Sequence, residues 1–443
     1  MVVEGRGVLA GMARCGEELD AVVHALEGGY IRPAFGADPV RAGAAALPSG
    51  RNIHGIDPWR LPTELALERG RRIAEALLAR HRAAHDGAWP RTVAQALWAM
   101  DTIKSEGEGL GVVLALVGAE PERDGQGKIF RYGLLPLEQL GRPRIDVLLD
   151  VSAVFRDTFQ MSLDLLDDLF RRAALADEPP ESNFLRANSD TLLAAGRSVE
   201  EATARIFTQA PGLYGTGVDE LVDENQWEEA GQLADVYERR NAHTVGGARA
   251  GAAAPEVLRG MLGTVDHVFQ SIDSVEYGLT DMTHYYGHSG AIQLAASRAR
   301  GGGVDLSYAE STGGTAQVRG AQEMLRVEAR AKLLNPKWYE SMLAHGHSGA
   351  AEIGNRFTHL VGWGAVGSLD AWVYEDAART FVLDDTMRRR LEAANPQAAR
   401  NAIGRLIEAH GRGMWQADTA TLERLQGLYA DIEDRLEGVG AAA

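Results

Sequence analysis

The stretch 144-RIDVLLDVSAVF-155 is a short, nearly continuous apolar run rich in leucine and valine, closed by the pair Arg156-Asp157. Its high β-propensity predicts a strand. A second apolar run, 92-TVAQALWAM-100, precedes it, with a Gly-rich helical stretch and a connector between the two. Two such runs joined through a helix imply an α/β layer. Just upstream, residues 61 to 86 are amphipathic, with Pro62 near the start and Arg and His toward the end, as helix-end electrostatics favour. That segment is expected to be helical.

Working outward, 12-MARCGEELDAVVHALEGGY-30 reads as a helix ending at a Gly pair. The following segment contains 33-PAFGADP-39 and 48-PSGRNIHGIDP-58, so rich in chain breakers that an ordered loop at a site or an interface is expected. Residues 156 to 270 are mostly helical in pattern, broken at 178-EPPESN-183 and 211-PGLYGTGVDE-220. The tract 244-TVGGARAGAAAPE-256 suits a mobile loop. Beyond it, 257 to 273 reads as a helix, 304 to 310 as a strand, and 315 to 334 as a helix stopped by Asn335-Pro336. Helix follows helix to about residue 438, without an internal repeat. The fold class expected is mixed α/β, predominantly helical, with a small α/β layer in the N-terminal half and a helix-rich C-terminal half. The expected segments are a loop-rich α/β part (1–160), a helical part (161–256) and a helix-rich part (257–443).

Lys plus Arg number 45 against 62 for Asp plus Glu, and the net charge of -17 opposes the counterion release on which nucleic-acid binding depends. No nucleic-acid partner is expected. The single cysteine, Cys15, excludes an internal disulfide or a multi-thiolate metal site, so metal chemistry here would use His, carboxylate or water. The longest apolar runs, such as 110-LGVVLALVGA-119, fall short of the roughly 20 residues a membrane span needs. The N-terminus lacks a basic region followed by an apolar core. A soluble, cytoplasmic chain is therefore expected.

Four clusters carry candidate chemistry. In 281-DMTHYYGH-288, helical spacing would place Asp281, His284 and His288 on one face. A metal site, a proton-transfer pair and a polar patch all remain open at this point. A zincin would have Glu after the first His, where this chain has Tyr285, and Gly287 and Gly290 argue against a continuous helix. In 335-NPKWYESMLAHGHSG-349, Trp338 and Met342 suit a core while His345 and His347 flank Gly346 at a helix end. Arg319, Glu323, Arg326 and Arg330 fall on one helical stripe, a solvated ion-pair face unless Lys332 and the loop Glu310-Ser311-Thr312-Gly313-Gly314 bring a ligand to it. Finally, 104-KSEGEGLG-111 lacks the Walker arrangement, and Glu106 and Glu108 would repel phosphate, so ATP is not expected to bind here.

Together, RNIHGIDPWRLPT (51 to 63), IDVLLDVSAVFRD (145 to 157), LTDMTHYY (279 to 286), AQVRGAQEMLRVEARAKLLNPKWYESMLAHGHSG (316 to 349) and WVYEDAARTFVLDDTMRRRLEAANP (372 to 396) resemble the C-terminal part of the large porphyrin-binding component of magnesium chelatase. The cobalt-inserting large subunit of the cobalamin pathway is the close relative of that family. The resemblance runs from about residue 8 to 438. KLLNPKWYE and NIHGIDP, around His54, are closer to the magnesium forms. The family protein is much longer, and its N-terminal portion has no counterpart in this chain.

The resemblance implies insertion of Mg2+, as substrate, into protoporphyrin IX in chlorophyll or bacteriochlorophyll biosynthesis. ATP would be hydrolysed on separate AAA+ and adaptor subunits, and a separately encoded N-terminal half is a further expected partner. Residues 257–443 would hold the porphyrin site. His284 is the first choice for proton acceptor or metal relay, with Asp281 fixing its tautomer or helping to hold the metal transiently. Tyr285 and Trp338 would pack on the macrocycle, and Arg319, Arg326 and Lys332 would pair with its propionates. Glu323 would orient Arg319 or act as a second base, His345 and His347 would act as His284 does, and His288 would be a turn residue. Cobalt insertion into a corrin precursor, or a porphyrin carrier without insertion activity, are the alternatives.

Overall fold

A computed structural model describes residues 2–35, 46–50, 52–53, 56–247, 250–272, 274, 277–312 and 316–439. His54, Gly313, Gly314 and residues 248–249 of the tract expected as a mobile loop lie outside them. Among the described residues the strands are β1 (Ala34–Phe35), β2 (Asn52–Ile53), β3 (Thr92–Leu97), β4 (Ala119–Arg123), β5 (Ile129–Leu134), β6 (Asp146–Val151), β7 (Ile206–Thr208), β8 (His243–Thr244), β9 (Val265–Ile272), β10 (Asp305–Glu310) and β11 (Gln317–Gly320).

Seven of them form one sheet in the order β11-β10-β9-β3-β6-β7-β8. The five inner strands run parallel, and β11 and β8 close the two edges antiparallel. From β3 the chain winds one way through β6 to β7, then returns to place β9 and β10 on the other side of β3. The order therefore reverses beside β3, and in open α/β sheets the crevice at such a point, outside the carboxyl ends of the strands, is where ligands bind.

The sheet is buried on both faces, which is why its strands read as apolar runs rather than as alternating ones. Val93, Leu97, Val147, Leu149 and Val151 point into one core with Ile73, Leu77, Val113 and Leu163. Ala94, Ala96, Leu148 and Val268 point into the other, with Leu258, Ile292, Trp363 and Leu406. The first core is roofed by the helices Glu64–Ala84 and Glu108–Val117, the former capped by Thr63 and burying Leu67, Ile73, Leu77 and His81 along one stripe. They cross at Gly70 and Gly111, where a Cβ on Gly70 would stand 2.5 Å from backbone of Gly111. Only glycine permits that approach.

An ion pair is enclosed within the sheet. Arg205 and Asp146 are both fully buried; Arg205 Nε donates to Asp146 Oδ1 at 2.8 Å and Oδ2 at 3.0 Å. The remaining guanidinium hydrogens reach the carbonyls of Ala202, Ala204 and Leu185 and the hydroxyl of Ser189. Asn188 and the Val147 amide complete the shell of Asp146. The pair fixes where the start of β6 meets the approach to β7.

The fold class is as expected from the sequence, with corrections inside it. The 257–273 stretch is a helix only over Pro255–Leu262, after which Val265–Ile272 forms β9, a strand between β3 and β10. Gly263-Thr264 breaks the helix, and two-sided burial hides the alternation that would have marked the strand. Likewise 315–334 divides into β11 and the helix Ala321–Ala331, because Gln317–Gly320 pairs with β10 and sets Arg319 opposite Tyr308. The stripe of Arg319, Glu323, Arg326 and Arg330 is thus broken at its first member. Segment 12–30 falls into two helices, Val2–Ala13 and Glu17–Leu26. The connector before β6 is a hairpin of β4 and β5, and β7 and β8 lie within the stretch read as mostly helical. Among the described residues, no helix is long and apolar enough to cross a membrane.

Candidate functional site

A cavity of about 630 Å3 opens at the carboxyl end of the parallel strands. Trp98 follows β3, Ser152 to Val154 follow β6, Gln209 follows β7, and the turn Tyr286–Gly290 completes the wall. Trp98, Met100, Val154, Tyr277, Met282 and Tyr285 make most of its surface apolar and aromatic. Met100, Val154, Tyr214 and Tyr277 are about half exposed, as residues at an open mouth should be.

One wall is acidic and imidazole-bearing. His284, in the short helix Thr283–Tyr285, sets Nδ1 3.0 Å from Oδ2 of Asp219, which lies in the first turn of the helix Val218–Asp223. The His284 side chain is 67% exposed and Asp219 only 16%, so the carboxylate is sheltered while the imidazole is open to the cavity. The hydrogen bond to Asp219, and then the charge of that carboxylate, raise the His284 pKa against the effect of burial. Burial pushes the Asp219 carboxyl up, but its contact with His284 and nearby backbone amides outweigh this and leave it below the ordinary range. The His284 contribution to stability is therefore present below about pH 6.5 and lost as pH rises through the raised folded value; that of Asp219 is present above about pH 3.9 and lost as pH falls through its depressed value. The ion pair is held between those limits.

Beneath it lies a second, buried chain of hydrogen bonds. Tyr237 donates to Asp150 Oδ2 at 2.5 Å, His288 Nε2 is 2.8 Å from Asp150 Oδ1, and Trp98 Nε1 donates to His288 Nδ1 at 2.5 Å. Indole N–H only donates, so His288 Nδ1 must accept and its proton sits on Nε2, pointing at Asp150. Trp98 and Tyr285 stack at 5.1 Å between ring centroids. His288 thus locks the floor of the cavity, which corrects its reading as a turn residue. It can be reached because Tyr286–Gly290 is a π-helix turn, the extra residue of which swings His288 inward.

Gly287 is part of that device. A Cβ there would lie 3.1 Å from Asp219 Cβ and 3.2 Å from its Cγ. Gly287→Ala should push the carboxylate off His284, lowering the His284 pKa toward 6.5 and costing about 1–3 kcal/mol of stability. Titration of the His284 ring protons by NMR and urea denaturation would read the two effects.

Of the residues predicted from the sequence, His284 and Tyr285 line the cavity and the others stand elsewhere. Asp281 does not face His284, since the helix begins only at Thr283; it pairs with Lys332 and Arg356, and Asp219 takes the place expected for it. Trp338 lies under Arg356, 5.2 Å from guanidinium carbon to ring centroid. With Glu328, which accepts from the amides of Leu279 and Thr280, these residues pin 278–281 and so fix the entry into Thr283–Tyr285. Arg326 pairs with Asp370, and Glu323 faces Arg80 at 3.5 Å rather than Arg319. Arg319 bonds to Gln317. His345 caps the helix Pro336–Ala344, and His347 meets Asn395 in the next turn, with Gly346 at φ +61 between them.

Sequence reasoning missed Trp98, Asp150, Asp219 and the part played by His288. Asp150 has a visible signal, a carboxylate near the end of a largely apolar strand. Asp219 sits in the turn-rich stretch 211–220, whose glycines signal only a break.

A doubly wound sheet with an aromatic cavity at its switch point defines an α/β protein built to hold a ligand at the carboxyl ends of its strands. More particularly, the chain belongs to the CobN/magnesium chelatase family, whose model matches residues 5–422. It is 50% identical over 442 residues to the H component of the magnesium chelatase of Chlorobaculum parvum, covering 99% of this chain and 35% of that protein. It is 40% identical to the chloroplastic magnesium-chelatase component ChlH of Oryza sativa subsp. japonica, covering 95% and 31%. Among solved structures it resembles the catalytic subunit of cobaltochelatase from Mycobacterium tuberculosis, with a TM-score of 0.93 and 31% identity over 96% of this chain and 37% of that one. The chain spans about a third of the length of these relatives.

Proposed function

We propose that this chain supplies the tetrapyrrole-binding and proton-accepting part of a magnesium chelatase, acting on protoporphyrin IX with Mg2+ as second substrate. ATP is hydrolysed on partner AAA+ and adaptor subunits, and the remainder of the large subunit is a further partner. The observation that carries the reading is the His284–Asp219 pair on the wall of an apolar, aromatic cavity. Insertion must strip water from Mg2+, which gives it up reluctantly, and remove two pyrrole protons. An imidazole oriented by a sheltered carboxylate accepts such a proton near neutral pH.

The other parts are consistent with this reaction. Trp98, Tyr285 and Met282 offer flat and adaptable apolar contact to a macrocycle. Gln209 belongs to the lining, its amide held by donation to Asn241. Lys104 is a cation of the lining, of the charge that a propionate attracts; Arg326 pairs with Asp370 and Lys332 with Asp281. The higher identity to the magnesium-chelatase relatives supports magnesium. The TM-score of 0.93 to a cobaltochelatase keeps cobalt insertion into a corrin precursor as the second reading.

Titrating the chain with protoporphyrin IX while following the Soret band tests the binding step. Saturable binding at micromolar porphyrin is expected, and the absence of a spectral change would remove the porphyrin reading. Adding the remaining subunits with ATP and Mg2+ should then yield Mg-porphyrin; binding without that product would make the chain a carrier.

A further inference from the structure

A second cluster lies at the opposite, amino-terminal end of the same strands. His81 and His85 are one turn apart at the carboxyl end of the helix Glu64–Ala84, and Asp305 opens β10 beside His267 of β9. His85 Nε2 is 2.9 Å from Asp305 Oδ2, and the His81 and His85 rings stack at 4.2 Å between centroids. One donor atom from each of His81, His85 and Asp305 lies within 4.8 Å of the other two. Around a tetrahedral zinc ion, ligand atoms stand roughly 3.3 Å apart, so small side-chain rotations would bring these three to bonding distance.

The surroundings are built for the same purpose. His81 Nδ1 is 3.2 Å from Nδ1 of the buried His267, whose Nε2 is 2.9 Å from Ser307 Oγ. A ligating imidazole ordinarily has its second nitrogen held in this way, which fixes tautomer and ring orientation. The His85 and Asp305 side chains are 45% and 46% exposed, leaving an ion a path in and room for a water ligand.

We propose that His81, His85 and Asp305 hold one divalent transition-metal ion of the zinc type, with water completing the coordination. Two imidazoles and one carboxylate suit Zn2+ or Co2+, whereas Mg2+ prefers an all-oxygen octahedron. The ion would join the helix to a strand 220 positions later in the chain, away from the tetrapyrrole cavity. The site does not depend on the function proposed above.

Tag-free chain dialysed against Zn2+ or Co2+, followed by metal analysis and visible spectroscopy, tests it. One equivalent retained, with Co2+ d–d bands and no displacement by millimolar Mg2+, is expected. His85→Ala and Asp305→Asn, both at exposed positions and checked for wild-type circular dichroism, should each weaken binding by about tenfold or more. Absence of the Co2+ bands, unchanged affinity in both variants, or a thiolate-to-cobalt band lost in Cys15→Ser would overturn the proposal.

Discussion

In a reconstituted chelatase, His284→Ala should lower metal insertion by about 10²- to 10⁴-fold, the range that one positioned proton acceptor contributes, while porphyrin affinity changes far less. The imidazole is open to the cavity, and without it the sheltered Asp219 carboxylate keeps the backbone amides of Asp219 and Glu220 as donors, so the fold should survive. Asp219→Asn separates the base from its support. With the carboxylate gone, the His284 pKa falls, and because the neutral imidazole is the active form, the acid limb of the rate profile should move to lower pH. A profile that keeps its wild-type midpoint in Asp219→Asn, or wild-type turnover in His284→Ala, would exclude the pair from proton transfer.

The largest effect on stability is expected at Arg205. Arg205→Ala strands the Asp146 carboxylate inside the sheet with only Asn188 and a backbone amide as donors. Breaking an enclosed ion pair from one side costs about 3–5 kcal/mol, and here the carbonyls of Ala202, Ala204 and Leu185 each also lose one donor. Urea denaturation should show a markedly lower midpoint with an unchanged slope. A loss below about 1 kcal/mol would mean that the pair is neutral to stability. The double change Arg205→Met with Asp146→Leu should recover much of the loss, since replacing both partners removes the buried charge instead of exposing it.

How much of this is legible in the sequence follows from where each signal is local. β3 and β6 are legible because both their faces are buried, which makes an apolar run. The same burial conceals β9, which follows directly on a helix and inherits its pattern until Gly263. The cavity is half legible. His284 and Tyr285 sit in a polar–aromatic turn that stands out in any reading, but their partners come from separate strands and are set beside them only by the sheet order. No spacing rule joins Asp219 to His284 or Asp150 to His288, because those pairs are 65 and 138 positions apart. Asp281, by contrast, is singled out by helical spacing, and the helix begins two residues too late for that spacing to apply.

The return of the chain to β3 also has a consequence in time. Arg91, just ahead of β3, bonds to Asp266 of β9, 175 positions later. On a ribosome adding roughly 5–20 residues per second, one edge of β3 therefore waits on the order of ten to thirty seconds for its neighbour. Through that interval the unpaired backbone edge of a mostly apolar strand is open to other chains. Misassembly during synthesis should accordingly concentrate on the half-built sheet, and chaperone occupancy on nascent chains should fall once β9 has emerged.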